Sequence, residues 1–455
     1  TNVVDFNELL EIEKKIGQKV AVFGMGYVGI TLAVSLANRG HQVAGIDINL
    51  NLIEKLSKGK THVYEPRLDD MLRTNLEADK INFHEKLIDN SDIYIIAVGT
   101  PIGVNSKPSL LALKEVLTSI ADNLKKGDQV MLRSTVPVGT TRAVVIPFLE
   151  SKTKLKAGRD FFVSFSPERT IEGRAMLELK TLPQVIGGFS KNCLKRSVEF
   201  WSSLTPNVIQ VKGLEAAELV KLANNTFRDL SFAFANELAL IADQFNVNAF
   251  DLIQAANDGY PRNPIPHPSP GVGGYCLTKD PILFSYSVDV LRDDAVLGLA
   301  GRKVNEKAAL YPVDLLYRFA AHNKINFNNL KVLIIGVAFK GEPETSDIRG
   351  SVAIDLFKIL KPKVHSIYGW DAIIDSEEIA KIGFIVADHI ENTIKEVDAI
   401  LILNNHPNNA LSELLVESTK PKLIFDGWNQ FDQSEIEKIG GLSYATMGYL
   451  AHNSK

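Results

Sequence analysis

The residues with the clearest chemical potential lie in the short segment Gly271–Pro281. There Cys276 ends a glycine-rich stretch, Asp280 follows four residues later, and Lys279 lies beside it. If this turn leads into a helix, the thiol lies at a helix N-terminus, where the dipole and the nearby cation lower its pKa and make it more nucleophilic. Asp280 then lies one turn away on the same face, where it can orient or activate water. The alternative is that Cys276 is a small buried hydrophobic residue, the usual role of an isolated cysteine.

A second set of polar residues lies on a predicted helix, Leu214–Phe245. Lys221, Asn225 and Arg228 are spaced i, i+4, i+7 and therefore share one face of that helix. A solvated surface is the ordinary explanation for such residues. Their neighbours are mainly Ala, Leu, Asn and Phe, however, so this helix is predicted to be internal, and Lys is rarely buried without a partner. A buried Lys–Asn pair can hold an anion or polarise an oxygen.

A glycine-rich turn follows the apolar run Lys19–Phe23. Gly24, Gly26 and Gly29 form a GxGxxG pattern, and a helical pattern starts at Ile30. In such a strand–turn–helix, the first glycine allows the tight turn, the second lets a pyrophosphate approach, and the third lets the helix pack on the strand. The anion then lies at the helix N-terminus, whose free N–H groups and dipole favour it.

Three further residues extend this pattern. Asp47 ends the next predicted strand, where a carboxylate accepts hydrogen bonds from an adenosine ribose and repels a 2′-phosphate, so NAD is predicted rather than NADP. Thr100 and Thr135 follow later strands, and ligands of such sheets bind at the carboxyl ends of strands, so both are predicted cofactor contacts. The alternatives are an ordinary glycine turn with an Asp that caps a helix, and loop residues without a function.

The elements that must hold these residues alternate between strand and helix in two parts of the chain. The predicted strands of the first part are Lys19–Phe23, Gln42–Asp47, Ile93–Val98, Gln129–Ser134, Phe161–Phe165 and Val185–Gly187. Those of the last part are Lys331–Ile335, Val364–Trp370, Ala399–Leu403 and Leu423–Asp426. The predicted fold class is α/β, with two Rossmann-like, doubly wound domains joined by a long-helix middle domain.

The middle part is predicted to be helical. Leu214–Phe245 contains neither Gly nor Pro, so it is long enough for one continuous helix. Five apolar residues recur on it at helical spacing and are predicted to form one buried stripe: Phe227, Leu230, Phe234, Leu238 and Ile241. More helix follows through Ala256. Asn257–Gly274 then holds five of the chain's 19 prolines, which predicts a constrained and functional loop.

Composition narrows the class of protein. In 455 residues, 50 Lys and Arg face 54 Asp and Glu, a net charge of −4, which argues against nucleic acid or a membrane surface as the main partner. Only two cysteines occur, so a disulfide scaffold is excluded and a cytoplasmic location is predicted, with Cys193 as a structural residue. No apolar run approaches the ~20 residues of a membrane helix. The acidic segment Thr1–Gly17 is not expected to be a signal peptide, and the first residue, Thr, suggests a trimmed start.

Taken together, the motifs resemble the UDP-glucose/GDP-mannose dehydrogenase family over nearly the whole chain. They are GMGYVG at Gly24–Gly29, STVPVG at Ser134–Gly139, SPER at Ser166–Arg169, KLANNTFRD at Lys221–Asp229, GVGGYC at Gly271–Cys276, and GVAFKG with SDIRGS within Gly336–Ser351. The resemblance implies an NAD-binding Rossmann domain over residues 1–211, a helical, dimer-forming domain over 212–325, and a UDP-sugar-binding domain over 326–455. It also implies a homodimer or a larger homo-oligomer.

The resemblance further implies a four-electron oxidation of the sugar C6 alcohol to a carboxylate, with two NAD. Cys276 would add to the intermediate aldehyde, and the thioester formed from this adduct would be hydrolysed. Lys221 and Asn225 would stabilise the oxyanion, Asp280 would assist proton transfer or the water, and Glu168 would act as a general acid/base or water activator. The cofactor residues implied are Gly24, Gly26, Tyr27, Val28, Gly29, Asp47, Thr100, Thr135, Glu172, Lys279 and Arg349. No metal is expected.

The implied substrate residues are mostly cationic, because two phosphates need cations and Arg binds them in a bidentate manner. They are Arg169, Thr170, Arg228, Tyr260, Arg262, Gly273 and Lys340. Arg262 would reach the site of the neighbouring subunit.

Departures from the family pattern bear on the sugar. Tyr275 stands where UDP-glucose enzymes usually have Ser, and Asp426–Asn429 reads DGWN rather than DGR. The segment FRD…AFANELA resembles the UDP-N-acetylhexosamine branch, whereas Lys279 resembles the glucose branch. A UDP-N-acetylhexosamine is therefore the predicted substrate and UDP-glucose the alternative. A non-catalytic NAD- or UDP-sugar-binding protein would not need Cys276, and a β-hydroxyacid-type dehydrogenase would lack the second α/β domain.

Overall fold

A computed structural model describes residues 17–103, 107–262, 264–287 and 295–451. The prediction about the N-terminal segment falls outside these residues, apart from Gly17. Contacts divide the chain into two compact units. The first comprises the described residues within 1–224 and 286–292, and the second those within 225–285 and 293–455.

The first unit is built on an eight-stranded sheet. Its strands are β1 Lys19–Phe23, β2 Gln42–Ile46, β3 Ile81–His84, β4 Ile93–Ile96, β5 Gln129–Leu132, β6 Phe162–Phe165, β7 Gln184–Gly188 and β8 Val208–Val211. They lie in the order β3-β2-β1-β4-β5-β6-β7-β8, and every pair is parallel except β6 with β7. The chain reverses direction across the sheet between β1 and β4, which is where open α/β sheets form their ligand crevice.

Helices cover both faces of this sheet. They are α1 Tyr27–Asn38, α2 Leu50–Ser57, α3 Leu68–Glu77, α4 Leu111–Ala121, α5 Ile146–Thr153, α6 Ala175–Thr181 and α7 Lys191–Trp201. A π-helical turn, Thr141–Val145, leads into α5. Side chains of β1 alternate between two cores, with Val20 and Val22 in one and Ala21 and Phe23 in the other. A strand that is buried on both faces reads as a continuous apolar run, which is why these strands were visible in the sequence.

The helical middle consists of α8 Leu214–Asp243, α9 Ala249–Asn257, α10 Asp280–Tyr286, α11 Val296–Ala308 and α12 Tyr311–His322. The predicted long helix is confirmed to within two residues. The prediction that its large apolar residues form a core stripe is wrong: Phe227, Phe234 and Ile241 are 74%, 57% and 54% exposed. The buried face carries small and polar residues instead, among them Ala233, Ala239, Ala242, Asp229 and Asn236. Small residues let neighbouring helices approach closely, and helical spacing alone does not tell which face is packed.

The second unit contains a seven-stranded sheet. Its strands are β9 Lys331–Ile335, β10 Ser366–Trp370, β11 Ile385–Val386, β12 Ala399–Ile402, β13 Lys422–Asp426, β14 Leu442–Thr446 and β15 Tyr449–Leu450. Their order is β11-β10-β9-β12-β13-β14-β15, parallel except for the last pair. The helices are α13 Val352–Leu360, α14 Ser376–Ile382, α15 Ile390–Glu396 and α16 Gln433–Ile436, with short 3₁₀ turns at Phe327–Asn329, Pro407–Asn409 and Ser412–Leu414.

The predicted fold class is confirmed: two Rossmann-like sheets with a run of helices between them in the sequence. The predicted domain boundaries stay predictions. Among the described residues, no helix combines the length and the apolar character that crossing a membrane requires.

Candidate active site

The glycine turn between β1 and α1 has the geometry of a dinucleotide-binding loop. Gly24 has φ +90°, and a Cβ on Gly29 would lie 1.7 Å from the Gly24 carbonyl oxygen, so neither position accepts a side chain without strain. Gly26 precedes the first residue of α1, and a Cβ there would meet nothing within 4 Å. Within the part of the chain that the structure describes, no side chain caps this helix. With open space beside Gly26, this helix N-terminus fits the pyrophosphate of NAD.

Asp47 follows β2 and closes one side of this turn. Its Oδ2 accepts the N–H of Met25 at 2.8 Å, and its Oδ1 accepts the N–H of Asn49 at 2.9 Å. Each carboxylate oxygen keeps a second lone pair, which is what a ribose hydroxyl needs. Ile48 beside it is exposed, an apolar surface that the sequence prediction missed.

Tyr27 and Val28 are the first residues of α1. Tyr27 is buried, and its hydroxyl donates a hydrogen bond to Glu65. Burial raises the pKa of this phenol far above its ordinary value, and the Glu65 carboxylate raises it further. Glu65 also accepts the N–H groups of Gly173 at 2.8 Å and Met176 at 3.1 Å. The side chain of Tyr27 thus links the glycine turn to the loop after β6, while its backbone stays at the helix N-terminus.

Thr100 and Thr135 come together at the carboxyl ends of the neighbouring strands β4 and β5. The Thr100 hydroxyl donates to the Thr135 carbonyl, and Ser134 donates its hydroxyl to the Val98 carbonyl at 2.7 Å. Thr100 is almost fully buried and Thr135 is half-buried. These bonds fix the two loops beside the glycine turn.

Glu168 is buried in the loop after β6. Its Oε2 accepts Arg133 Nε at 3.1 Å, and its Oε1 accepts the N–H groups of Arg169 and Thr170, each at 2.7 Å. Burial by itself would raise the pKa of this carboxyl, but Arg133, the Thr170 N–H and the charge of Lys221 hold the pKa below its usual value. The carboxylate is therefore ionised at neutral pH, which suits a water activator better than a proton donor.

Arg133, at the end of β5, is a residue that the sequence analysis missed. Its Nη1 donates to the Ser166 carbonyl and to Gln184 Oε1, both at 3.0 Å, and its guanidinium lies 4.7 Å from the Trp201 ring centre. The signal was present, because one charged residue interrupts an otherwise apolar strand that ends at the carboxyl edge of the sheet. A buried cation there holds the Glu168 loop in place.

The rest of the SPER loop is also anchored. Arg169 is half-buried and donates from its guanidinium to the Pro183 carbonyl. The charge of Glu172 acts on Tyr27, which places this predicted second acid near the glycine turn.

The first turns of α8 are tied to the loop after β5 by Glu218. Its carboxylate accepts the N–H of Gly139 at 2.5 Å and both the N–H and the hydroxyl of Thr141, at 2.9 and 2.6 Å. Glu218 was another residue missed from the sequence, although it lies one turn before Lys221. Lys221 itself is buried, as predicted, and its charge acts on Glu168.

In the second unit, a buried carboxylate lies one turn after the cysteine. Asn225 Nδ2 donates to Asp280 Oδ2 at 2.6 Å, and Lys279 Nζ donates to Asp280 Oδ1 at 3.0 Å. The Asp280 N–H donates to the Cys276 carbonyl at 2.8 Å. Cys276 is exposed, whereas Cys193 is buried in α7, as predicted for a structural residue. The predicted turn into a helix is confirmed, with α10 beginning at Asp280.

The glycines before Cys276 pack against the SDIRGS loop. A Cβ on Gly273 would lie 2.3 Å from the Gly350 carbonyl oxygen, and one on Gly274 would lie 2.7 Å from the Phe339 ring. The Gly274 N–H donates to the Gly350 carbonyl at 3.2 Å. Close contact with backbone therefore requires glycine at 273, and the Phe339 ring together with a φ of +88° favours glycine at 274.

Two cationic side chains lie close to the ring of Tyr275. The Arg349 guanidinium lies 4.8 Å from its ring centre and Lys279 Nζ lies 5.3 Å from it. Arg349 also pairs with Asp347, with Nη2 2.6 Å from Oδ2. Lys340, in the AFKG loop, is half-buried, with Nζ 5.6 Å from the ring centre of the neighbouring Phe339.

The other predicted substrate residues of this unit are exposed. Arg228 lies on α8, 5.8 Å from the Phe232 ring centre. Arg262 lies 5.3 Å from the ring centre of Tyr260 in the proline-rich loop. Because neither arginine is buried in its own unit, both are accessible to a ligand or to another chain.

Two sets of predicted residues are thus assembled, one in each unit. The first unit contains the helix N-terminus predicted to bind an anion, Asp47, and the buried Glu168. In the second unit, the exposed Cys276 lies one turn before Asp280, whose carboxylate accepts hydrogen bonds from the Asn225 amide and the Lys279 ammonium. A nucleophile with such neighbours is expected for covalent catalysis. That both sets form one site stays a prediction.

Comparison with known proteins relates the whole chain to one enzyme family. Sequence models of the UDP-glucose/GDP-mannose dehydrogenase family match residues 18–205 as the NAD binding domain, 215–307 as the central domain and 333–433 as the UDP binding domain.

Three relatives illustrate the similarity. The chain is 32% identical over 415 residues to a UDP-N-acetyl-D-mannosamine dehydrogenase of Pyrococcus horikoshii, covering 90% of this chain and 95% of the relative. An NDP-N-acetyl-D-galactosaminuronic acid dehydrogenase of Ralstonia nicotianae is 32% identical over 347 residues, 75% and 79% of the two chains. The solved structure of the UDP-N-acetyl-mannosamine dehydrogenase of Staphylococcus aureus matches with a TM-score of 0.81 at 28% identity, over 94% and 98% of the two chains.

Proposed function

The chain belongs to the UDP-glucose/GDP-mannose dehydrogenase family, and we propose that it oxidises the C6 hydroxyl of a UDP-N-acetylhexosamine to the carboxylate, with NAD as acceptor. The observation that carries this proposal is the exposed Cys276 one turn from the buried Asp280, whose carboxylate accepts hydrogen bonds from Asn225 and Lys279. The oxidation removes four electrons, so each sugar reduces two NAD. Water supplies the second carboxylate oxygen.

The first unit supports the proposed cofactor. Bound NAD supplies the hydride acceptor, and the residues present fit it: the uncapped N-terminus of α1 for the pyrophosphate and Asp47 for the ribose. A carboxylate at this position repels a 2′-phosphate, which favours NAD over NADP.

The second oxidation is assigned to Cys276. Its sulfur adds to the C6 aldehyde and gives a thiohemiacetal, from which loss of hydride leaves a thioester. Water then attacks the thioester carbonyl, and the thiol is released with the carboxylate product. Lys221 and Asn225 are proposed to donate hydrogen bonds to the oxyanion. Glu168, whose pKa is held low, is proposed to orient the water, with Asp280 as the alternative.

The sugar is proposed from relatives and from side chains. The P. horikoshii and S. aureus relatives are named for UDP-N-acetylmannosamine, which makes this the first substrate to test. The R. nicotianae relative favours the N-acetylgalactosamine isomer as a second candidate. Trp428 is held by a hydrogen bond from Nε1 to the Leu403 carbonyl at 3.0 Å, and this indole replaces the Arg of the glucose branch.

A substrate panel tests the sugar. Purified protein is given NAD and equal concentrations of UDP-ManNAc, UDP-GalNAc, UDP-GlcNAc or UDP-glucose, and NADH is counted per sugar consumed. We expect two NADH per N-acetylated sugar and little turnover of UDP-glucose. A higher kcat/KM for UDP-glucose than for all three N-acetylated sugars would contradict the proposed specificity but leave the reaction class intact.

A pair of cysteine variants tests the covalent step. Cys276→Ser keeps the size but removes the good nucleophile, so turnover to the uronic acid is expected to fall by about two orders of magnitude or more, with UDP-sugar binding near normal. Cys193→Ser makes the same chemical change at the buried cysteine and is the matched control. Uronate formation by Cys276→Ser at the wild-type rate would rule out the thioester. Because the mechanism needs a free thiol, we also propose the reducing cytoplasm as the location.

A second copy of this chain is proposed to cover the exposed face of α8, which carries Phe227, Phe234 and Ile241. Two exposed phenylalanines and an isoleucine at seven-residue spacing form an apolar stripe, and the family resemblance supports a dimer there. Phe234→Lys is expected to halve the mass measured by sedimentation. Leu177→Lys, at an exposed leucine of α6, is the control and should leave the mass unchanged.

Arg262 is proposed to complete the active site of the partner subunit. Arg262→Ala should then raise KM for the UDP-sugar much more than KM for NAD. Mixing it with Cys276→Ala chains should restore part of the activity, since one site of each mixed dimer is whole. A mixture that is no more active than its parents would assign Arg262 to its own subunit.

A further inference from the structure

A buried polar network lies beside the cysteine turn and joins α8 to α11. Arg302 on α11 is 6% exposed, and its Nη1 donates both to Asp229 Oδ1 at 2.8 Å and to the Val272 carbonyl at 3.2 Å. Asn305, one turn later, donates Nδ2 to the same Asp229 oxygen at 2.8 Å. A single guanidinium nitrogen thus connects a buried carboxylate of α8 to the backbone of the glycine-rich stretch four residues before Cys276.

The same network holds the preceding loop at a second point. Asn236 Nδ2 donates to Asn305 Oδ1 at 2.9 Å, and Asn236 Oδ1 accepts the N–H of Ser269 at 2.8 Å. The Ser269 hydroxyl donates to the Gly271 carbonyl at 2.8 Å. The backbone is therefore fixed at Ser269 and at Val272, on either side of Gly271.

The glycines themselves cannot supply this rigidity. Gly273 and Gly274 have no side chains to pack, and neither position can take one, since a Cβ would collide with Gly350 or Phe339. Glycine backbone is the most mobile of all, so a defined position of the following thiol requires anchors outside the glycines. Two backbone bonds hold the end of the stretch, from the Gly274 N–H to the Gly350 carbonyl and from the Asp280 N–H to the Cys276 carbonyl. At Val272 the backbone is held by a charged side chain instead, that of Arg302.

The pair is also poorly arranged for stability alone. Among the described residues, neither Asp229 Oδ2 nor Arg302 Nε has a hydrogen-bond partner, although both atoms are buried. A buried ion pair that only held two helices together would gain more from bidentate pairing, and apolar residues often serve as well or better. Here Arg302 Nη1 donates one hydrogen bond to the Asp229 carboxylate and another to the Val272 carbonyl of the loop.

We infer that Asp229 and Arg302 are a positioning pair for Cys276: they fix the Val272 carbonyl and, through it, the backbone of the Gly273–Cys276 turn. Neither residue has to touch the substrate. The inference rests on the proposed function for its consequence in catalysis, but the position and reactivity of the thiol can be measured without turnover. It predicts that disturbing the pair changes the chemistry at Cys276 more than it changes ligand binding.

Thiol alkylation tests the inference directly. Folded protein is treated with iodoacetamide over pH 6–9, and intact mass counts the modified cysteine; Cys193 is buried and reacts slowly. Arg302→Met removes the donor to Val272, and Asp229→Asn keeps the size but removes the charge that orients Arg302. Both are expected to change the alkylation rate of Cys276 at least about threefold or to shift its pH midpoint. Arg302→Lys, which keeps a cation, should restore part of the wild-type behaviour.

Arg318→Met is the matched control. Arg318 on α12 pairs with Asp243 of α8 at 2.9 Å, so the substitution removes another charge pair of the same long helix without touching the Ser269–Cys276 loop. It should lower thermal stability and leave the alkylation profile unchanged. In the turnover assay, Arg302→Met should lower kcat about tenfold or more, with KM for both substrates within about twofold, because small misplacements of a reacting group are costly.

The outcomes separate the two proposals. If alkylation of both Arg302→Met and Asp229→Asn matches that of wild type and Arg318→Met at a temperature where all are folded, the pair only joins helices and the inference fails. Should Arg302→Met not fold, Asp229→Asn decides alone. Altered alkylation in a protein that oxidises no UDP-sugar would instead refute the proposed function and keep the positioning role.

Discussion

The glycine turn before α1 allows folding and cofactor binding to be separated by two single substitutions. A Cβ on Gly29 would lie 1.7 Å from the Gly24 carbonyl oxygen, which is backbone and cannot move aside without displacing β1 or α1. Gly26 has φ −64° and ψ −169°, which any residue adopts, and its Cβ would point into open space. Gly29→Ala is therefore expected to lower the stability of the fold, whereas Gly26→Ala is expected to weaken only the binding of the cofactor.

The magnitudes follow from these contacts. Overpacking typically costs 1–3 kcal/mol, and a backbone clash this close belongs at the upper end, so Gly29→Ala should lower the free energy of unfolding by about 3 kcal/mol. At roughly 2–4 °C per kcal/mol for a unit of this size, Tm falls by about 6–12 °C. Gly26→Ala should leave Tm within about 2 °C. Its methyl group would displace a phosphate from one or more N–H groups, each worth about 1.5–3 kcal/mol, so Kd for NADH should rise about 10- to 150-fold.

Two assays without turnover check this pair. Thermal unfolding of the ligand-free protein gives Tm, and quenching of tryptophan fluorescence by NADH gives Kd. Wild-type affinity for NADH in Gly26→Ala would refute the placement of the pyrophosphate at α1. An unchanged Tm in Gly29→Ala would refute the claim that this glycine is required by the close approach of α1 to the turn.

Three further predictions concern the same unit. Asp47→Ala should reduce the preference for NAD over NADP at least about tenfold in kcat/KM, because the ribose acceptor and the repulsive charge are both lost; an unchanged ratio would contradict this role. Tyr27→Phe removes the hydroxyl donor to buried Glu65 and should lower the free energy of unfolding by about 1.5–3 kcal/mol in urea titrations, whereas Tyr317→Phe, at a partly exposed tyrosine, should have little effect. Because Arg133 and the Thr170 N–H hold the pKa of Glu168 below its unfolded value of about 4.3, this carboxylate stabilises the fold fully above that pH and loses its effect as pH falls through the folded pKa. The difference in unfolding free energy between wild type and Glu168→Gln should therefore shrink below about pH 4, and a pH-independent difference would count against the paired carboxylate.

Most of the fold was predictable because it follows from local patterns. Strands buried on both faces read as apolar runs, and the uninterrupted segment Leu214–Asp243 became one helix. Strands β3, β8, β11, β14 and β15 were not predicted. β11 and β15 have two residues each, β3 and β8 carry exposed residues, and β14 includes the polar residues Ser443 and Thr446. The packed face of α8 was predicted wrongly, because its alanines and buried polar residues carry a weaker pattern than its exposed Phe and Ile.

Many candidate site residues could be predicted from local sequence patterns, but their hydrogen-bond partners could not. Lys221 and Asn225 share a helix face by spacing alone, but the bond from Asn225 to Asp280 spans 55 residues. Arg133 reaches Glu168 across 35 residues, and Glu65 reaches Tyr27 across 38. Such partners come from helices, strands and loops that are distant in the sequence, so only the folded chain identifies them.

The exposed apolar face of α8 also matters for how the protein behaves when it is produced. Where no other molecule covers them, Phe227, Phe234 and Ile241 present an apolar surface along this helix, and such surfaces promote aggregation. On the buried face, where Ala233, Ala239 and Ala242 lie, larger side chains would overpack the interior at a typical cost of about 1–3 kcal/mol, so the two faces of one helix limit folding and solubility in different ways.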